Sequence, residues 1–194
     1  MLHDIIAIIS NARARAAGRR PIIVGIDGPS GAGKSTLARR IEEALKDVSI
    51  VHKDDFYSDA PEQLLSTLSP AEGYSSYFDW QRLREQVLLP LSSGHHSTYQ
   101  CFDWNKKVLG EWRSVPLTTE VAIVEGVYAL RPELRDFYNV KILVQTGDEI
   151  RASRLIARGE NSKEWVNRWS TAEAFYFENH FSSEQVIFVD GQGA

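Results

Sequence analysis

The sequence holds one cysteine in 194 residues, Cys101, so no disulfide can form within the chain. Such usage fits a reducing compartment, and a cytoplasmic protein is expected. The lone thiol is read as a small apolar filler. An excess of basic charge is also missing. Lys and Arg total 22 against 26 Asp and Glu, a formal net charge of −4, which argues against a broad basic face for nucleic acid. Long hydrophobic runs are lacking too. The apolar stretch Ile5, Ile6, Ala7, Ile8, Ile9 is too short to span a bilayer. Asp4 precedes it, and arginines at 13, 15, 19 and 20 follow it rather than lead it, so neither a membrane anchor nor a targeting signal is expected. There is no internal repeat and no low-complexity tract, which points to a single domain over residues 1–194. At this length the chain can bury one good core, and its 43% hydrophobic and 25% charged residues are ordinary for a globular protein.

What is present alternates between two periods. Residues 2–17 carry Leu2, Ile5, Ile6 and Ile9 at helical spacing, with Gly18 and Pro21 to stop the helix. Residues 21–27 form a nearly continuous apolar run, as in a strand buried on both faces. Helix 34–46 places Leu37, Ile41, Ala44 and Leu45 on one side, and strand 48–52 ends at Asp54 and Asp55. Residues 56–77 read as a surface loop with a short helix, 79–91 as a helix, and 95–116 as a short hairpin or irregular insertion. Strands are expected at 121–124, 140–144 and 186–189. Helices are expected at 132–137, 148–158 and 162–179. This alternation predicts an α/β fold, a five-stranded parallel sheet with helices on both faces.

Residues 28–35 read Gly-Pro-Ser-Gly-Ala-Gly-Lys-Ser, a complete G-x-x-x-x-G-K-S loop between an apolar strand and an amphipathic helix. Glycines let successive main-chain N–H groups turn inward as an anion nest, and the helix that follows aims its positive dipole end at the same place. Lys34 can bridge β- and γ-phosphates, and the Ser35 hydroxyl can bind Mg²⁺. Gly28, Ser30, Gly31, Ala32, Gly33, Lys34, Ser35 and Thr36 are therefore the expected nucleotide-binding residues, with ATP and Mg²⁺ as cofactors. A P-loop NTPase fold is expected.

Three further elements carry chemistry, each with a plainer alternative. Asp54 and Asp55 end a strand, where ligands of open α/β sheets collect. A carboxylate there can orient and deprotonate a hydroxyl and help hold the metal, or it can cap a turn. Glu125 closes the run Val121-Ala-Ile-Val124 before Gly126, suiting a Mg²⁺-ordering acid or a strand-end acceptor. Arg151, Arg154 and Arg158 fall on one helical stripe, either a lid over the triphosphate or a solvated face. The aromatic residues Tyr77, Phe78, Trp80, Tyr99, Phe102, Trp104 and Trp112 can stack on a flat ring or form the core of an insertion. Trp165, Trp169, Phe175 and Tyr176 are expected to pack the last helix, and the five histidines carry no ligand spacing.

Together these blocks resemble the uridine kinase family, related to phosphoribulokinases, bacterial pantothenate kinases and nicotinamide riboside kinases. The likeness rests on the loop at 28–35, Asp54-Asp-Phe-Tyr57, Phe78-Asp-Trp80, Ile123-Val-Glu-Gly-Val-Tyr128, Arg131-Pro-Glu-Leu-Arg-Asp136 and the arginine-bearing helix from Asp148. It implies that Asp54 is the catalytic base and that Ser35, Asp54 and Glu125 surround Mg²⁺. It further implies that Arg154 and Arg158 are lid arginines and that Tyr57 lines the acceptor pocket. Asp54, Tyr57, Asp79, Phe102 and Trp104 are the expected acceptor-side residues, within an acceptor-binding insertion at 56–116, and the lid spans 151–163. The sequence departs from the family where the pyrimidine is recognised. Uridine kinases carry Tyr-Asp-Phe-x-x-His-x-Arg; here Phe102-Asp-Trp-Asn-Lys-Lys107 places Lys107 near the histidine, with no arginine close behind.

The resulting expectation is transfer of the γ-phosphate of ATP to a hydroxyl of a small nucleoside-like molecule, with no membrane partner and with a homo-oligomer left open. The competing readings are a nucleoside monophosphate kinase, for which Arg82, Arg84 and Arg113 would grip the acceptor phosphate, and a non-enzymatic nucleotide switch or scaffold. A GTPase is disfavoured, because the guanine motif Asn-Lys-x-Asp is absent and residues 105–108 fail at their last position.

Overall fold

The computed structural model describes residues 1–16, 20–159 and 163–193. Helix α1 (Leu2–Arg15) leads into strand β1 (Ile22–Asp27), the P-loop and helix α2 (Lys34–Ala44). Strand β2 (Val48–His52) is followed by the short helices α3 (Glu62–Leu65), α4 (Pro70–Ser76), α5 (Trp80–Leu83) and α6 (Leu89–Ser92), the last two joined by a π turn at Arg84–Leu88. Strands β3 (Ser97–Asp103) and β4 (Val108–Val115) form an antiparallel hairpin. Strands β5 (Val121–Glu125) and β6 (Val140–Gln145), helices α7 (Asp148–Arg158) and α8 (Lys163–Asn179), and strand β7 (Val186–Asp190) complete the chain. The five long-range strands pair in parallel in the order β2-β5-β1-β6-β7, as the alternation of periods predicts.

The continuous apolar runs divide by the period of two. Val24 and Ile26 of β1 with Val121 and Ile123 of β5 face α1 and α2, where Ile5, Ile9, Leu37 and Ile41 meet them. Ile23, Ala122 and Val124 face the other way, onto Leu83, Val87, Leu88 and Leu91 and the hairpin residues Tyr99 and Cys101. Each large aliphatic side chain so removed from water contributes about 1.5–3 kcal/mol. Cys101 is buried, the filler its composition suggests. No helix among the described residues is long and apolar enough to cross a membrane.

Several local expectations shift. Residues 56–77 hold two helices rather than one, because Ser69-Pro-Ala-Glu72 is a capping box: Ser69 accepts from the Glu72 N–H while the Glu72 carboxylate takes the Ser69 N–H at 2.9 Å. The helix expected at 79–91 widens into a π turn just before Pro90, whose missing N–H removes a rung of the ordinary ladder. The expected helix at 132–137 contracts to a 3-10 turn at Arg135–Phe137. Helix α1 ends at Arg15; Gly18, read as its stop, and Ser162, read as the start of the last helix, lie outside the described residues.

Asp27, the last residue of β1, ties the sheet to what lies above it. Its fully buried carboxylate accepts from the Gly28 N–H (2.7 Å), the Tyr128 N–H (3.0 Å), the Leu130 N–H (2.8 Å) and the Tyr176 hydroxyl (2.8 Å). Burial pushes its carboxyl above the ordinary value, and the donated hydrogen bonds, Leu130's first, pull it back. All four partners are donors, so the geometry suits the ionised form. One side chain therefore fixes the start of the P-loop, the chain after β5, and α8. Tyr176→Phe should cost about 1.5–3 kcal/mol of stability, the worth of a hydrogen bond to a charged group, read as a lower urea midpoint with an unchanged slope.

Candidate functional site

The loop at 28–35 leaves the carboxyl end of the central strand and turns into α2 through Gly33, at φ 107°. Gly28, at φ 145°, lies against the Val144 carbonyl, where a Cβ would collide with main chain. A cavity of about 90 Å³ opens above the loop, lined by Ser30, Gly31, Gly33, Lys34, Ser35, Thr36, Asp54, Glu125, Gly126 and Val127. Two of the expected nucleotide-binding residues stand behind it instead. Gly28 accepts the Lys34 ammonium on its carbonyl at 2.8 Å, and buried Ala32 accepts the Thr146 hydroxyl at 2.8 Å. Lys34 also reaches the Pro29 carbonyl at 3.1 Å, so its charge is held at the mouth of the nest.

Adjacent strand ends bring the acids to this cavity. His52 and Glu125 are register partners in the β2–β5 pair. Glu125 Oε1 accepts the Ser35 hydroxyl at 3.0 Å and lies 2.6 Å from His52 Nδ1. Burial pulls the Glu125 carboxyl upward, but the His52 hydrogen bond, the Lys34 charge and the Ser35 hydroxyl together hold it below the ordinary value. The same hydrogen bond raises His52. His52 has no ligand spacing in the sequence; its only signal there is its place at the end of the strand.

Asp54 and Asp55 separate. Asp55 turns to the hairpin, where Arg113 Nη1 lies 3.3 Å from its carboxylate. Asp54 faces the cavity and is open to solvent there, while protein crowds its other sides. The protein packed on its closed sides and then the Glu125 charge raise its carboxyl above the usual range, which makes it a better proton acceptor.

Next to the phosphate cavity lies a cleft of about 760 Å³. Tyr57, Phe78, Phe102, Trp104, Trp165 and Trp169 wall it, and Asp54, Asp59, Glu62, Lys107, Arg151 and Glu173 supply its charge. Tyr57 and Trp104 lie with ring centroids 4.6 Å apart. The turn carrying Trp104 is set by Asp103, whose Oδ1 accepts from the Asn105 and Lys106 N–H groups at 3.0 and 3.1 Å. Trp165 and Trp169, expected only to pack α8, do so and also form a wall. Of the remaining aromatics, Tyr77 is core, Tyr99 stacks on Phe56, and Trp112 is 61% exposed on the hairpin.

Asp79 is not brought to the cleft. It caps α5, accepting from the Arg82 N–H at 2.8 Å and pairing with Arg82 Nε at 3.4 Å. Among the arginines of α7, Arg154 is stapled to the Gly31 and Gly191 carbonyls, each at 3.0 Å, behind the nest rather than over it. Arg151, which the resemblance does not count among the lid arginines, lines the cleft and donates to the Ser30 carbonyl at 2.9 Å. The Arg158 side chain and lid residues 160–162 lie outside the described residues. Glu173, from far along the chain, takes the Ser30 N–H at 3.1 Å, a contact with no sequence signal.

Residues 23–165 match the Phosphoribulokinase / Uridine kinase family. A uridine kinase of Clostridium novyi (strain NT) is 32% identical over 143 residues, 72% of this chain and 68% of that protein. Among solved structures, one described as a possible uridine kinase from Bacillus stearothermophilus superposes with a TM-score of 0.70 at 22% identity, covering 96% of this chain and 100% of that one. The phosphoribulokinase from Rhodobacter spheroides superposes at 0.57 with 14% identity, covering 83% of this chain and 65% of that one. These two share the fold. Strand order, phosphate loop and sequence likeness agree: the chain belongs to the phosphoribulokinase / uridine kinase family and is a P-loop small-molecule kinase.

Proposed function

We propose that the protein transfers the γ-phosphate of ATP to a hydroxyl of a nucleoside-like small molecule. The observation that carries this reading is the shared boundary of the two cavities: Ser30, Asp54 and Val127 line both the phosphate nest and the aromatic cleft. An acceptor whose flat ring sits among Tyr57, Phe102 and Trp104 would present its hydroxyl to Asp54, next to where a terminal phosphate must lie. Asp54 orients that hydroxyl and takes its proton while the nest and Lys34 hold the triphosphate in line. Arg151 adds positive charge from the cleft side, and Arg154 supports the loop from behind. Most of the rate enhancement then comes from positioning and preorganised charge.

Mg²⁺ fits the donor set. Among the described residues no group of three or more His, Cys, Asp or Glu side chains stands ready to hold a metal. Yet Mg²⁺ with a nucleotide needs only one or two carboxylates beside the phosphates and water. The Ser35 hydroxyl, Glu125 and Asp54 at one cavity provide that. Bound there, the ion would neutralise charge on the phosphates. In this reading residues 1–194 are one kinase domain, 56–116 its acceptor-binding insertion and 151–163 its lid. ATP as donor suits the cytoplasm.

The monophosphate kinase reading loses its cations. Arg82 is buried with its guanidinium on the carbonyls of Tyr57, Gln100 and Asp55; Arg84 lies over Phe137; Arg113 pairs with Asp55 and Glu111. An ATP-consumption screen over nucleosides, nucleoside monophosphates, pantothenate, nicotinamide riboside and sugars tests the choice. A nucleoside or a similar alcohol should be turned over and the monophosphates should not. Turnover of monophosphates alone would refute the reading.

A further inference from the structure

Glu173 is a buried carboxylate that the chemistry above leaves unused. It lies on α8, 2% exposed, with Oε2 on the Ser30 N–H at 3.1 Å and Oε1 on the Ser30 hydroxyl. Arg151 Nη2 stands 3.5 Å from it. Ser30 is the third residue of the phosphate loop, at the end remote from the helix, and it borders both cavities. Its N–H is thus the nest donor nearest the junction where a terminal phosphate meets the acceptor. A carboxylate bonded to that donor is an anion held at an anion site.

We infer that Glu173 competes with the γ-phosphate for the Ser30 N–H, so that it weakens binding of a triphosphate selectively against a diphosphate. A diphosphate is gripped by the donors nearer α2 and leaves Ser30 to Glu173. A triphosphate must displace the carboxylate, which leaves Arg151 Nη2 to the phosphate while Nε stays on the Ser30 carbonyl. Trp165 and Trp169, on the same helix, wall the acceptor cleft, so a molecule seated there bears on the element that carries Glu173. The inference rests on the kinase reading and assigns that site a control on its donor.

The test measures affinity for ADP and for the nonhydrolysable β,γ-imido analogue of ATP, both with Mg²⁺, by calorimetry on the intact chain. Wild type is compared with Glu173→Gln, which removes the charge and keeps the shape, and with Glu173→Ala. Both variants should bind the triphosphate analogue about tenfold more tightly, within the usual range for coupled sites, with ADP unchanged. A merely structural role would move the two nucleotides together. An unchanged affinity ratio, or a weaker triphosphate, in the glutamine variant would overturn the inference, and that variant suffices should the alanine variant fail to fold. Wild type that bound neither nucleotide would instead bring down the kinase reading itself.

Discussion

Asp54→Asn should slow phosphoryl transfer by about 10²- to 10⁴-fold while ATP still binds, the loss expected when a general base is removed without changing shape. The expectation follows from position. Asp54 is the one member of the acidic pair left facing the nest, its neighbour Asp55 being held by Arg113 on the hairpin. The protein packed on its closed sides and the Glu125 charge raise its carboxyl, so the proton it accepts is held more firmly than an ordinary aspartate would hold it. Asparagine can still accept a hydrogen bond from the acceptor hydroxyl but cannot take its proton. Single-turnover kinetics with the acceptor found by the screen, alongside ATP titration, separate the two properties. Full activity in the asparagine variant would mean that the base lies elsewhere.

Lys34→Ala should fail differently, losing both affinity for ATP and turnover, with kcat/KM down by about 10²- to 10³-fold. Lys34 is only 8% exposed, and its ammonium is pinned by the Gly28 and Pro29 carbonyls at the mouth of the nest. It is therefore preorganised where charge gathers on the transferring group, and alanine leaves two loop carbonyls short of a donor. Lys34→Arg keeps the charge but not the compact point geometry, so it should rescue little. Wild-type turnover by the alanine variant would show that the nest alone handles the phosphates.

Much of this site was legible in contiguous residues. The phosphate loop declares itself because its glycines, its lysine and its flanking strand and helix are consecutive. The parallel sheet follows from apolar runs that alternate with helical periods. Even the capping box at Ser69 and Glu72 is spelled out in four residues. Local hydrogen bonding and periodicity are written in neighbours, and for such features the sequence is sufficient.

Contacts between distant segments were not. Sheet register decided that His52 stands beside Glu125, and the hairpin decided which of Asp54 and Asp55 stays free. The fold also moved Asp79 from the acceptor to a helix cap and set Arg154 behind the loop with Arg151 at the cleft. Asp27 became a hub for Tyr128, Leu130 and Tyr176, and Glu173 met Ser30 across the molecule. Residue type and local pattern determined that this chain carries a phosphate nest on a parallel sheet. Which charged side chains face that nest was decided by the tertiary structure, because a carboxylate or guanidinium takes its role from the partners that packing brings within hydrogen-bond reach.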